Sequence, residues 1–494
     1  MKFLKRLVFC ALLALAASCA GSNNGGGSSS NNKEDEEKTE DTKYDAYAYV
    51  TTASRASLFR KMGLFFGDPN LKSPNDVTFT GEEFQTVDGF GAALTVSSCY
   101  NLMKMQEDKR KETLKGLFDL QEGIGISLVR LCIGGSDFSY DNGASGTSSD
   151  GRFTWCDNKG IENFAPHGMD LAWVIPVLKE VVAINPYIKI IGSPWTAPRW
   201  MKENYSWTGS HLKKECYADY AGYFVRWIQY MQTEGFDIYA VTVQNEPLHG
   251  GNSMSMLMDW QECRDFVKVL GPAFKSAGLD TKIIIYDHNY DVTSYALNVM
   301  ADSGASQYIA GSAWHNYGGN VSALDLIHSR FPDKGIWFTE ASIGSWNYSF
   351  ESCLINDFRD IFMGTLSRYG KGVVLWNLVL DNMNGPFTAA NGSCTTCYGA
   401  VTILGDYKTL EPRSQYYNIA HCSKVIKSGA VRLGTSGPVK SGLSYQVYRN
   451  PDDSYGVIIL NEGNQGQQLV FKSPVHSVKF SVPAKAIVSL GWKD

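Results

Sequence analysis

Two glutamates, Glu246 and Glu340, each close a short apolar run. The first run is Tyr239-Ala240-Val241-Thr242-Val243-Gln244-Asn245-Glu246-Pro247. It reads as a buried strand whose last residues turn polar and which a proline stops. The second is Gly335-Ile336-Trp337-Phe338-Thr339-Glu340. A lone carboxylate at a strand end is usually a solvated loop residue. Two of them, each with amide or indole company (Asn245; Trp337 and Trp346), suit another task. Carboxyls about 5–5.5 Å apart, one protonated and one ionised, break a glycosidic bond with retention of configuration. One acts as acid and then base, the other as nucleophile.

Such a pair needs a rigid frame. Eight strand-like runs recur along the chain: Val87–Gly91, Ser127–Leu131, Lys189–Ser193, Tyr239–Val243, Lys282–Tyr286, Gly311–His315, Ile336–Thr339 and Gly372–Trp376. Helical patterns lie between them, as in Tyr217–Met231 and Trp260–Leu270. Continuous apolar strands alternating with helices predict an α/β fold, a closed parallel (β/α)8 TIM barrel. The glutamates then follow strands four and seven. The flanks read differently. Tyr445–Arg449, Tyr455–Leu460, Gln468–Phe471 and Ala486–Leu490 are short strands between Asn, Asp, Gly and Pro, and Asp76–Thr80 resembles them. They predict a side β-sandwich domain formed from both chain ends. The expected division is residues 1–19 a signal peptide, 20–45 an acidic linker, 46–85 the first part of the sandwich, 86–408 the barrel and 409–494 the rest of the sandwich.

Composition narrows the function. The 494 residues carry a net charge of −5 with no basic stripe, which argues against nucleic acid as a partner. Aromatics reach 13%, a supply of flat faces on which sugar rings can stack, although most must fill the core. Lys2, Lys5 and Arg6 precede an apolar run, Leu7–Ala17, too short to span a bilayer. The run ends Leu15-Ala16-Ala17-Ser18-Cys19 and resembles a bacterial lipoprotein signal, which implies Cys19 as a lipidated amino terminus and an outer-membrane or cell-surface location in a Gram-negative bacterium. A Gly/Ser/Asn linker, Ser22–Asn32, and an acidic run, Lys33–Asp45, follow. Of eleven cysteines, only Cys394 and Cys397 are closely spaced. A lone C-x-x-C without a second pair points to a short-range disulfide rather than zinc, and the others read as small core hydrophobes.

With these residues in place, the chain resembles family 30 of the glycoside hydrolases, which includes lysosomal glucosylceramidase and microbial β-1,6-glucanases. The resemblance rests on Gly89-Phe90-Gly91-Ala92-Ala93-Leu94-Thr95, Asp137-Phe138-Ser139, Ser193-Pro194-Trp195-Thr196-Ala197-Pro198, Asn245-Glu246-Pro247 and Thr339-Glu340-Ala341. It implies Glu246 as acid/base and Glu340 as nucleophile. Asn245 is then expected at the sugar 2-hydroxyl, Arg130 beside Glu340, and Tyr317 as the group that orients Glu340. His315 is expected on the sugar, with Trp195 and Trp376 lining its subsite. Glucosylceramidase-like members carry an aspartate after the threonine of the glycine motif, where this chain has Val96. Val96 is expected in the sugar site, favouring cleavage within a β-1,6 chain over removal of a terminal glucose. An exo-acting β-glucosidase, a xylan-directed enzyme and a non-catalytic surface glycan-binding protein are the alternatives. His249, His288, His315 and His328 lack metal-ligand spacing, Gly89-Phe90-Gly91 lacks the third glycine of a dinucleotide fingerprint, and no Gly-x-Ser-x-Gly occurs. No cofactor and no metal are expected.

Overall fold

The computed structural model describes residues 43–140 and 150–494. The leader, Cys19 and the linker up to residue 42 lie outside the described residues. Eight parallel strands form the barrel: β1 (Gly89–Ala92), β2 (Leu128–Cys132), β3 (Lys189–Ser193), β4 (Ile238–Thr242), β5 (Lys282–Asn289), β6 (Ile309–His315), β7 (Gly335–Glu340) and β8 (Gly370–Leu375). From β2 to β8 each pairs with the next, and β8 pairs with β1. The last seam, β1 to β2, is held by an Ala93–Arg130 bridge and by Leu94 N–H donating to Arg130 O at 2.9 Å. Gly91 is needed there, because a Cβ would stand 2.0 Å from Leu128 O. These are the eight segments the apolar runs predict, shifted by up to three residues at their ends.

Inward-facing side chains stack in layers, as closure of a barrel this size demands. Leu128, Ile191, Ala240, Ile284, Ala313, Trp337 and Val374 make one apolar layer. Two residues further along five of these strands, the inward positions turn polar: Arg130, Ser193, Thr242, His315 and Thr339, all fully buried. Helices such as Tyr217–Thr233 and Trp260–Ser276 cover the outside. The second starts in a capping box, Asp259 with Glu262, which satisfies two orphan N–H groups.

The sandwich is one nine-stranded sheet folded over its own core. Ala46–Thr52, Arg60–Leu64 and Asp76–Thr86 come from the amino-terminal flank, and six strands from Val431 to Lys493 complete it. Ala46–Thr52 pairs antiparallel with Ala486–Lys493, with Ala48 opposite Leu490. The expected boundary at 408/409 is corrected. Helix Ser414–Ser423 buries Tyr417, Ile419, Ala420 and Cys422 in the barrel's core cluster, and the sandwich resumes only at Val431. The cause is an insertion: a small sheet, Val379–Asp381, Val401–Ile403 and Leu410–Pro412, separates β8 from this last barrel helix. Cys394 and Cys397, in the same insertion, form the expected disulfide, with S–S at 2.02 Å. Among the described residues the other cysteines are free; Cys132 and Cys353 are half-buried and the rest buried. No described helix is long and apolar enough to cross a membrane.

Candidate active site

The polar layer ends in a cavity of about 400 Å³ at the carboxyl ends of the strands. Glu246 and Glu340 both line it. Glu340 ends β7, where a register shift after Phe338 brings it to the cavity. Glu246 follows β4 in a tight turn with φ of 46°, a left-handed conformation costing about 1–2 kcal/mol for a non-glycine residue. The turn is pinned. Asn245 N–H donates to Pro194 O at 2.9 Å, Glu246 N–H to Asp287 O at 3.0 Å, and His249 N–H to Glu246 O at 2.9 Å. Asn252 Nδ2 donates to Glu246 Oε2 at 3.0 Å. Its loop is held by Ser255 Oγ on Asn252 O and by the buried Lys202 ammonium on Ser255 O.

Arg130 sits beneath the cavity, fully buried. Its Nη1 donates to Glu340 Oε2 at 2.6 Å, its Nη2 to Asn245 Oδ1 at 2.6 Å and Asp287 Oδ2 at 2.8 Å, and its Nε to Ser193 Oγ at 3.1 Å. The guanidinium also faces the Trp195 ring at 4.8 Å. Tyr317 Oη donates to the other nucleophile oxygen, Glu340 Oε1, at 3.1 Å. Two donors thus fix both oxygens of Glu340 and favour its ionised form. Burial raises the Glu340 carboxyl above its ordinary value, and His315 and Arg130 oppose that rise.

Asp287 is the hub that sequence reasoning missed. It accepts from Arg130, from Thr242 Oγ1 at 2.7 Å and from Thr339 Oγ1 at 2.6 Å, and its Oδ1 faces His315 Nε2 at 3.1 Å. Ile284 faces into the barrel, so plain alternation along β5 would send Tyr286 inward and Asp287 outward. A bulge between Tyr286 and His288, with φ of 76° at Tyr286 and 59° at Asp287, reverses this. Burial works against ionisation of Asp287, yet Arg130 and His315 hold it well below the usual carboxylate range.

His315 lies between two carboxylates, its Nδ1 at 3.3 Å from Glu246 Oε1. Burial pulls its pKa down, but Glu340, Asp287 and Glu246 together raise it to about 9. Burial pushes the Glu246 carboxyl up, and the His315 cation more than reverses this, to about 2. These shifts favour the proton on His315, opposite to the state a proton donor needs. Glu246 and His315 face each other at 3.3 Å, so a proton can pass between them. Covering Glu246 with a sugar removes water from an ion pair, and that favours the neutral arrangement with the proton on Glu246.

Trp195 and Trp376 stack at 4.9 Å and line the cavity, and Tyr317 stands at its rim, as expected. Asn245 is buried with its Oδ1 taken by Arg130 and stands behind the lining residues, with its Nδ2 the one amide donor group that Arg130 leaves over. Arg130 stands beside Glu340 as expected, beneath the cavity rather than in its lining. Two expectations change. His315 is fully buried with both nitrogens turned to carboxylates, so it adjusts Glu246 rather than touching the sugar. Val96 begins the helix Val96–Met103 behind its Thr95 cap and packs in the main core, away from the cavity. Asp137, from the Asp-Phe-Ser motif, supplies a carboxylate to the wall instead. Burial and Glu340 push its carboxyl up to about 7. His249, Asn252, His288, Asn289, Ser342, Trp346 and the Cys394–Cys397 disulfide complete the lining. The polar run Asp287-His288-Asn289 at the end of an apolar strand was the signal for His288 and Asn289, but it does not say that Asp287 turns inward.

Comparison with known proteins agrees with this geometry. Residues 87–426 match the Glycosyl hydrolase family 30 TIM-barrel domain, and residues 429–490 its beta sandwich domain. An endo-1,6-beta-D-glucanase from Neurospora crassa is 32% identical over 77% of this chain and 80% of its own length. The lysosomal acid glucosylceramidase of Mus musculus is 26% identical over 80% of this chain and 78% of its own length. A solved endo-beta1,6-glucanase superposes with a TM-score of 0.87 and 42% identity, covering 92% of this chain and all of that one (100%). By barrel, sandwich and motif order, the chain belongs to glycosyl hydrolase family 30, a family of retaining glycoside hydrolases.

Proposed function

We propose that this protein is an endo-acting β-1,6-glucanase that works by double displacement through Glu246 and Glu340. One observation carries the reading: both carboxyls open into a single cavity, one held through both oxygens by Arg130 and Tyr317, the other facing His315 Nδ1 at 3.3 Å. In the first step Glu340 Oε attacks the anomeric carbon as Glu246 protonates the departing glycosidic oxygen, leaving a glycosyl ester on Glu340. Esterification removes the Glu340 charge. Glu246, now the base, takes a proton from water, which opens the ester and frees the sugar with its configuration kept. His315 and Asp287 hold charge close to Glu246 and let its carboxyl change state between the two steps. Trp195 and Trp376, stacked on each other and nearly buried, form part of the wall against the cleaved sugar.

The choice of β-1,6-glucan draws on the names of the Neurospora crassa relative and the solved structure at 42% identity. Half-exposed Tyr317 and Trp346 at the rim offer surfaces for the neighbouring units of a chain. The deciding experiment is hydrolysis of β-1,6-glucan, β-1,3-glucan, xylan and an aryl glucoside by purified protein. Short β-1,6 oligosaccharides released early from long chains support the reading; release of glucose alone from chain ends, or preference for xylan, contradicts it. The Lys2–Cys19 segment supports export and lipidation at Cys19, which would hold the protein at a membrane surface.

A further inference from the structure

The acid end of the cavity has the makings of a metal site. Glu246, His288 and His315 each offer one donor atom, and these atoms lie within 4.8 Å of one another. Glu246 Oε1 stands 3.3 Å from His315 Nδ1 and 3.8 Å from His288 Nδ1. Two donors bound at about 2.0–2.2 Å to one tetrahedral zinc ion are about 3.3–3.5 Å apart. One edge of that tetrahedron is already present, the second is close, and a swing of the His288 ring by about 1 Å closes the third.

Two separate observations point to a ligand. His288 Nδ1 is buried and has no hydrogen-bond partner, a costly state for a polar atom at a cavity wall. His315 is braced from behind by Asp287, with Nε2 at 3.1 Å from Oδ1, which leaves Nδ1 to face forward. A carboxylate behind an imidazole is the arrangement that orients histidine ligands in metal centres. Glu246 and His288 both border the cavity, so water can reach the remaining coordination position. Two imidazoles and one carboxylate suit zinc, copper or nickel and disfavour magnesium or calcium, which prefer oxygen alone.

We propose that Glu246, His288 and His315 bind one divalent transition-metal ion of the zinc type, and that this ion switches the enzyme off. Binding expels the proton held between Glu246 and His315 into solvent, and the ion takes its place on Glu246 Oε1, so that Glu246 can neither deliver a proton to a leaving group nor take one from water. The switching rests on Glu246 being the acid/base; the binding does not. Excess metal at an envelope surface would thus silence hydrolysis reversibly, without unfolding the protein.

The test uses the purified full chain titrated with Co2+ and then Zn2+. The expected result is one equivalent of Co2+ with the visible absorption of a tetrahedral N/O site, its displacement by Zn2+, and affinity at least about tenfold weaker in His288→Ala. Aryl glucoside hydrolysis should fall with the same zinc midpoint, recover with EDTA, and ignore Mg2+. Absence of stoichiometric binding overturns the site, as does unchanged affinity in His288→Ala. Full activity with zinc bound overturns the switch. Should His288→Ala fail to fold, a zinc-soaked crystal decides: an anomalous peak touching the three donor atoms supports the site, and a peak elsewhere or none overturns it. A protein inactive on every glycoside still reports through the Co2+ absorption, so failure of the catalytic reading and of the metal site are separately visible.

Discussion

Replacing Glu246 separates its two duties. General acid catalysis contributes about 10²–10⁴-fold, or about 2.7–5.4 kcal/mol of barrier. In Glu246→Ala this loss should fall in full on β-1,6-glucan, whose alcohol leaving group must be protonated. An aryl glucoside with an acidic phenol departs without a proton, so its first step should slow by less than about tenfold. The glycosyl ester should then accumulate, because no base activates water. Azide, needing no base, should restore turnover and give the β-glycosyl azide. Stability gives a second readout. Glu246 is nearly buried and accepts from Asn252 while facing His315, so its removal strands donors on both. An unsatisfied buried donor costs about 1–3 kcal/mol. Glu246→Gln keeps an acceptor for Asn252 and should recover much of that loss while remaining as poor an acid. The assay is steady-state kinetics on both substrates, with and without azide, beside thermal unfolding of each variant. Equal losses on glucan and aryl glucoside, with no azide effect, would refute the assignment.

Arg130→Met should abolish activity and destabilise the fold by about 3–5 kcal/mol, because Asp287 and Glu340 keep buried charges without their cation; thermal or urea unfolding checks this, and a loss below 1 kcal/mol contradicts it. The His315 pKa is raised in the folded state, so its stabilisation is complete below its unfolded value near about 6.5 and is lost as pH climbs through about 9. Unfolding free energy should therefore decline across that alkaline window, and His315→Gln should flatten the slope; an unchanged slope contradicts the placement of the proton. Cys19→Ala should move the protein from the membrane fraction to the soluble fraction with unchanged specific activity; retention in the membrane would locate the anchor elsewhere.

The barrel and sandwich were legible because their signals are local. Apolar runs such as Lys282–Tyr286 and Gly372–Trp376 mark strands wherever they lie, and Asn245-Glu246-Pro247 marks its own strand end. Arg130 and Tyr317 could be placed beside Glu340 for the same reason, through their positions at strand ends. Asp287 was not legible, since alternation sends it outward and only the bulge at Tyr286–His288 turns it in. His315 was placed at the right strand end but given the wrong neighbour: its depth depends on the layer spacing of the barrel, which no local pattern records. Val96 failed for a related reason. A residue just past a cap threonine starts a helix, and its side chain goes where that helix packs, here the core. The endo preference therefore rests on the relatives and the rim, not on Val96.

The central claim is that Glu340 carries the sugar between the two steps. Incubation with an activated 2-deoxy-2-fluoro-β-glucoside slows both steps and, with a good leaving group, traps the ester. Digestion and mass spectrometry then locate the label. The account predicts one fluoroglucosyl group per chain, on the peptide bearing Glu340, in wild type and not in Glu340→Gln. A label on any other residue would contradict it, as would the absence of a covalent adduct while β-1,6-glucan is still hydrolysed.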